Sequence, residues 1–279
     1  MTSARLDHRG VLEVTGPEAR TFLDRIVTCD VDPVAPGRAA FGALLSPQGK
    51  ILADFILFAR SDETFLLDTP ASCLADLAKR LTLYKLRAKI TIADRTAELA
   101  VTAGWDEPPP DAVATAPDPR LAAFGWRALM PRGESSEGDP AGYEARRIRL
   151  GIPEGGRDFA FGDAFPHEAL MDQLRGVAFD KGCYVGQEVV SRMQHRGTAR
   201  TRVVPVRYAG DAPPPGTEVI AGGRMIGRTG SAIGNQGLAM LRLDRAADAI
   251  AAGDSLEAGG VAFAIEPRDW IAFTLPGAP

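Results

Sequence analysis

The chain reads as an α+β protein that ends in an antiparallel β-barrel, and three observations predict this. Its 279 residues are 45% hydrophobic, enough to bury a large core divided among two or three domains. Up to Gly197, runs with helical periodicity are interleaved with short apolar strands. Beyond Gly197 the helical patterns thin out, and short β-rich runs alternate with Gly, Pro and Asp turns. The predicted divisions are residues 1–104, 105–198 and 199–279, the last being the barrel.

Composition excludes several classes. A net charge of -4 argues against a general nucleic-acid surface, and no direct nucleic-acid partner is expected. No stretch reaches the roughly 18 uninterrupted apolar residues of a membrane span, and the start, Met1 to His8, has no apolar signal-peptide core. Cys29, Cys73 and Cys183 include no CxxC pair, so neither a disulfide framework nor a zinc or cluster cage is expected, and a reducing cytoplasm is the predicted compartment.

Taken in order, Val11 to Val14 form a strand, and Gly16-Pro17 opens a helix whose apolar face is Ala19, Phe22, Leu23, Ile26 and Val27. Phe41 to Leu45 and Ile51 to Phe58 are strands joined by the turn Ser46-Pro47-Gln48-Gly49. Asp54 interrupts the second, so it is a solvated face residue, a paired acid or a cleft carboxylate. Thr64 to Leu67 is a strand and Ala71 to Leu83 a helix. Tyr84 to Ile92 alternates basic and apolar residues as a strand would, aligning Lys85, Arg87 and Lys89 as either a solvated surface or a wall for a polyanion. Asp106 to Arg120 and Pro131 to Pro140 read as loops, Leu121 to Leu129 as a strand, and Ala141 to Leu150 as a basic helix. In the last region the strands are Thr201 to Tyr208, Thr217 to Ile220, Arg224 to Ile233, Gly237 to Leu243 and Val261 to Ile265.

Reactive chemistry concentrates between Phe179 and Gly197. Gly182 and Gly186 permit turns and close backbone approach, and Val189, Val190 and Met193 predict a helix from near Val185 to Gln187 up to Gly197. Cys183 then precedes a helix N-terminus, where the dipole and the nearby Lys181 favour a thiolate. The other reading is a small buried hydrophobe. His195, near the helix end, is a base, a cluster ligand or a surface group. His167-Glu168 lacks the second histidine of HExxH, because residue 171 is Met, and GxGxxG, Walker and GxSxG patterns are absent. No metal site is predicted.

The contiguous run Lys181-Gly182-Cys183-Tyr184-Val185-Gly186-Gln187-Glu188 resembles the signature of the YgfZ family of folate-binding proteins, relatives of the glycine cleavage T-protein, an aminomethyltransferase. Arg149 to Gly155 and Phe165 to Leu170 are similar to the mitochondrial iron-sulfur assembly factor of that family, and the N-terminal stretch from Gly16 to Ala19 through Leu45 to Asp54 also resembles the family. The resemblance implies a T-protein-like ring of two intertwined α/β domains and a C-terminal barrel about a folate cavity. It implies tetrahydrofolate as cofactor, met by Asp54, Arg149, Tyr184, Gly186, Gln187, Glu188 and Arg192. Cys183, Lys181 and Asp54 become the catalytic candidates.

Two departures bear on activity. T-proteins carry an Asp-Asp pair where this chain has Ala53-Asp54, and a pterin-contacting glutamate where it has Arg149. They also lack the lysine-flanked cysteine. The resemblance therefore implies an accessory protein for iron-sulfur assembly or repair rather than a stand-alone enzyme, its partners being the assembly machinery and client iron-sulfur proteins. A cluster would be held only transiently or with a partner, since one cysteine cannot cage it. The alternative is a tetrahydrofolate-dependent aminomethyltransferase. A role in tRNA modification is a third, weaker reading that the acidic balance does not encourage.

Overall fold

The computed structural model describes residues 3–134, 138–197 and 199–277. It divides into two compact units, Met1–Tyr143 with Leu174–Ser191, and Glu144–Gln173 with Arg192–Pro279.

In the first unit the elements are β1 (Ser3–Arg5), β2 (Arg9–Thr15), α1 (Ala19–Asp24), β3 (Ala40–Leu45), β4 (Ile51–Ser61), β5 (Thr64–Pro70), α2 (Ala71–Tyr84), β6 (Thr91–Asp94), β7 (Leu99–Gly104), β8 (Ala114–Pro117) and β9 (Trp126–Pro131). They form a five-stranded sheet, β3-β4-β5-β2-β6, and a four-stranded sheet, β1-β7-β9-β8. The helix α2 turns Leu74, Leu77 and Leu81 into the core, each burial worth about 2 kcal/mol. A buried ionic chain ties strands of both sheets: Arg9 bonds Asp68 on β5, and Arg127 on β9 lies 3.2 Å from Asp68 and 3.7 Å from Asp118, which Arg120 grips at 2.7 Å.

Several predicted boundaries move. The predicted strand Tyr84 to Ile92 is instead the end of α2, a tight turn, and then β6 from Thr91. The alternation was that of a turn whose helix stops at Lys85, not of an extended chain. The predicted strand at Leu121 is broken: Ala122–Phe124 is a single 3-10 turn, and β9 begins only after Gly125, whose φ of +104° admits no Cβ beside the Gly104 carbonyl. Part of the predicted Asp106 to Arg120 loop is the strand β8, which tolerates Pro117 because it is the sheet edge. In the predicted Pro131 to Pro140 loop, Arg132–Glu134 is a 3-10 turn, and residues 135–137 lie outside the described residues.

The helices α3 (Pro140–Leu150) and α4 (Gln187–Arg196) follow. In the second unit, β10 (Thr201–Tyr208), β11 (Glu218–Ala221), β12 (Arg224–Ile233), β13 (Gln236–Arg242), α5 (Leu243–Ala251), β14 (Leu256–Ala258) and β15 (Val261–Ile265) complete the chain. The strands close as β10-β13-β12-β11-β14-β15, an antiparallel barrel of six, which leaves no sheet edge unpaired. Val204, Val206, Val219, Leu241 and Phe263 fill it, and α5, whose pattern the sequence reading passed over, adds Ala246 and Ala249 to the same core.

Candidate functional site

The motif segment enters the first unit as irregular chain anchored at both ends. Ala178 donates its N–H to the Thr28 carbonyl, and the Thr28 hydroxyl donates to the Gly176 carbonyl at 2.6 Å. Lys181 then turns inward. Its ammonium donates to the carbonyls of Asp24 (2.6 Å), Val27 (3.1 Å) and Cys29 (2.7 Å) and pairs with the Asp24 carboxylate at 2.9 Å. The side chain is 5% exposed. This corrects the expected role of Lys181 as a cation turned toward the thiol: it caps the carbonyls that α1 and the loop after it leave open, and thereby fixes the loop that carries Cys183.

On the other side of Cys183, Gly186 locks the segment against the β3–β4 hairpin. Its φ is +81°, and a Cβ there would fall 2.6 Å from the Ser46 carbonyl oxygen and 3.1 Å from the Gly49 Cα. The hairpin turn answers with Gly49 at φ +82°, lying under Val189 of α4. Motif and hairpin are two halves of one interlock.

Cys183 itself is exposed, whereas Cys29 and Cys73 are buried. Burial pushes the Cys29 thiol up to about 12 and raises that of Cys73 as well. The alternatives left open by spacing are thereby resolved: Cys183 is not a core hydrophobe. Its position relative to the helix differs from expectation, since α4 begins at Gln187 and the turn of Tyr184 to Gly186 intervenes. The dipole is felt mainly in the first turn of a helix, so accessibility rather than a cap position distinguishes this thiol.

The remaining predicted residues are not equivalent. Tyr184 is buried, its hydroxyl lacks a hydrogen-bond partner among the described residues, and its ring lies 5.7 Å from the Lys181 ammonium; burial pushes its hydroxyl up to about 12. Gln187 opens α4 half-buried, Glu188 is exposed in its first turn, and Arg192 is exposed farther along it. Asp54, on β4 opposite Ala43, is only 6% exposed, which removes the solvated-face reading. In the second unit, Arg149 is exposed at the end of α3, and what it contributes to structure is its carbonyl, which accepts from Arg268 at 2.9 Å.

Sequence reasoning missed two buried arrangements of the second unit. Arg147, fully buried two residues before Arg149, pairs with Asp158 and Glu144 at 2.6 Å each and donates to Ser231 at 2.7 Å. His167 is buried with its Nε2 2.9 Å from the Gln194 side-chain oxygen, and burial lowers its pKa. Glu144 stands three residues away on the same helix, an ordinary surface spacing, and the partners that make the site buried, Asp158 and Ser231, come from outside the helix, so no local signal marked it. Exposed His195 occupies the last turn of α4, and no group of three or more His, Cys, Asp or Glu among the described residues is arranged to hold a metal.

Residues 5–103 match the family model of the GCVT N-terminal domain, and residues 200–273 that of the CAF17 C-terminal β-barrel domain. The fold is similar to the crystal structure of glycine cleavage system aminomethyltransferase T from Bartonella henselae, with a TM-score of 0.76 over 96% of this chain and 86% of that one at 16% identity. This is the T-protein-like fold, mixed α/β with a closed C-terminal barrel. Among sequence relatives, the mitochondrial iron-sulfur cluster assembly factor IBA57 of Mus musculus is 36% identical over 86% of this chain and 77% of its own length. That of Homo sapiens is 34% identical over 95% and 84%. These relatives are mitochondrial proteins, which overturns the expectation of a cytoplasmic one: three unpaired thiols call for a reducing compartment without saying which. With a GCVT-like N-terminal domain, a CAF17-type barrel and this identity along most of both partners' lengths, the chain belongs to the IBA57 family of iron-sulfur cluster assembly factors.

Proposed function

We propose that this chain is an accessory protein for iron-sulfur cluster assembly or repair, in which the Cys183 thiolate supplies one ligand to a cluster shared with a partner from the assembly machinery or a client enzyme. The single observation behind this reading is the exposed Cys183 on a loop clamped by Lys181 and Gly186, while Cys29 and Cys73 are buried. One thiolate is a quarter of the usual cysteine set of a cluster, so the cluster is cargo. Binding it is ligand exchange: an iron–sulfur bond to Cys183 forms as one bond from iron to the donor's ligand breaks, the thiol proton passes to that released ligand, and no electrons are transferred.

Tetrahydrofolate belongs to the reading as a ligand. The donor chemistry fits a pterin at one acceptor, because the buried Asp54 carboxylate would accept from its N–H groups while the neighbouring Ala53 offers no acceptor. When bound, tetrahydrofolate can carry one-carbon units; the missing carboxylates are those a transferase would use.

The test compares wild type, Cys183→Ala and Asp54→Asn in cells lacking the native protein. Cys183→Ala is expected to fold normally and to lower the activity of cluster-dependent enzymes at least tenfold, with cluster-free enzymes unaffected. Asp54→Asn is expected to weaken tetrahydrofolate binding about tenfold by calorimetry, the order of one lost charged hydrogen bond. Full client activity with Cys183→Ala would defeat the assembly reading, and aminomethyl transfer by that variant would put the transferase in its place.

A further inference from the structure

We infer that the turn after α2 is a preformed docking knob for an acidic protein surface. The inference is independent of the cluster reading and concerns a face of the first unit with no assigned role.

Leu86 sits at the tip with φ +46° and is 85% exposed; Leu83, one turn earlier on α2, is 66% exposed. A left-handed conformation is unfavourable for a bulky L-residue and persists only where its surroundings enforce it. Leu170 is likewise left-handed, but it is fully buried, so packing offsets the strain. At Leu86 no packing offsets it. The backbone is nevertheless held from both sides. Lys85 N–H donates to Leu81 (2.9 Å), Ala88 N–H to Lys85 (2.7 Å) and Ile90 N–H to Ala88 (2.9 Å). The Lys85 ammonium reaches the Ile90 carbonyl at 3.0 Å, and the Lys89 N–H is fixed by the Glu18 carboxylate at 2.6 Å. A rigid turn that displays an apolar side chain loses little further freedom when a partner covers it.

Charge identifies the partner. From Leu77 to Ala93 the chain carries Lys79, Arg80, Lys85, Arg87 and Lys89 and no acid, in a molecule of net charge -4. Arg80 pairs with Asp76 and Lys85 closes the turn, but the exposed side chains of Lys79, Arg87 and Lys89 have no acidic partner among the described residues. Such a cationic stretch steers an acidic surface onto the leucines it flanks. A bilayer would need a long apolar stripe, and the stripe of α2 faces the core. A nucleic acid could neutralise the cations through its phosphates, but its phosphate-lined surface offers little apolar area to cover two exposed leucines. A protein surface with acids around a leucine-sized pocket fits both features.

The test places photoreactive p-benzoyl-phenylalanine at position 86 of the full chain in its native cell, with position 211, exposed in the second unit, as control. Cross-linked peptides are sequenced by mass spectrometry. Expected are peptides of one protein containing clustered Asp or Glu, at least tenfold above the control, and falling at least fivefold when Arg87→Glu and Lys89→Glu are added. Cross-links that reach only lipid or RNA, or that ignore charge reversal or do not exceed the control, would overturn the proposal. Flotation of the chain with vesicles of 30% phosphatidylserine in phosphatidylcholine is expected to fail, and binding would overturn it too. Leu86→Gly suits the left-handed backbone, so it is expected to fold as wild type yet lose at least fivefold in recovery of the cross-linked partner; an unfolded variant would make Leu86 structural and defeat the docking role.

Discussion

At the scale of single residues, the motif separates one accessible side chain from those that hold its loop. Lys181 and Cys183 are two positions apart, yet one is sealed against the carbonyls of Asp24, Val27 and Cys29 and the other faces solvent. Removing the ammonium leaves buried carbonyls and Asp24 without their donor, so Lys181→Met is expected to lower stability by about 3 kcal/mol, read as a fall in denaturant midpoint. Cys183→Ala is expected to change it by less than about 0.5 kcal/mol, as for an exposed position. Native alkylation with iodoacetamide is expected to label one thiol per chain in wild type and none in Cys183→Ala, with Cys29 and Cys73 reacting only after unfolding. Labelling of Cys29 in the native protein would contradict its burial and its raised pKa.

At the scale of elements, what presents the thiol is the fit between a hairpin and a helix entry. The turn from Ser46 to Gly49 is closed by the Gly49 N–H on the Ser46 carbonyl at 2.8 Å, with the Ser46 hydroxyl accepting from the Gln48 and Lys50 N–H groups. That carbonyl lies where a side chain on Gly186 would have to go. Gly186→Ala therefore meets both an unfavourable φ and a backbone atom, and is expected to lose about 2 kcal/mol or more and to alter the alkylation rate of Cys183. A variant as stable as wild type with the same thiol reactivity would remove the interlock from the explanation. The hairpin is also the strand pair that carries Asp54, so the same element bears the acid proposed to meet a pterin and braces the thiol loop.

At the scale of the whole molecule, stability rests in part on charges taken out of water. Asp118 is drawn two ways: burial pushes its carboxyl up, and the Arg120 guanidinium outweighs this and holds it below the ordinary range. His167 is kept neutral by burial, which lowers its pKa. Below its ordinary value of about 6.5, the unfolded chain therefore binds a proton that the folded chain refuses. Stability present above pH 6.5 is lost as pH falls from there toward the folded pKa, by up to about 1 kcal/mol between pH 7 and 5.5. Thermal unfolding across this range should show that slope, and His167→Gln should flatten it; an unchanged slope would assign the acid sensitivity to other groups.

How much of this was legible follows from where the information sits. Features within one stretch of chain were readable: the helix after Gly186, the β3–β4 hairpin, the five long barrel-region strands and the eight-residue motif all rest on periodicity, turn chemistry or contiguous identity. Local pattern misled where a turn and a strand share an alternation, as from Tyr84 to Ile92, and it was silent where a short helix such as α5 is built from alanines. The amino-acid sequence by itself determined the T-protein-like fold, the kinship with iron-sulfur assembly factors and the cysteine set, while the family shown is that of IBA57 rather than YgfZ. Only the tertiary structure decided what each residue touches and whether solvent reaches it, because partners 152 to 157 residues apart made Lys181 a clamp, and packing buried Cys29 and Cys73 while leaving Cys183 accessible. Burial and pairing at such distances are properties of the packed chain, and no window of sequence contains them.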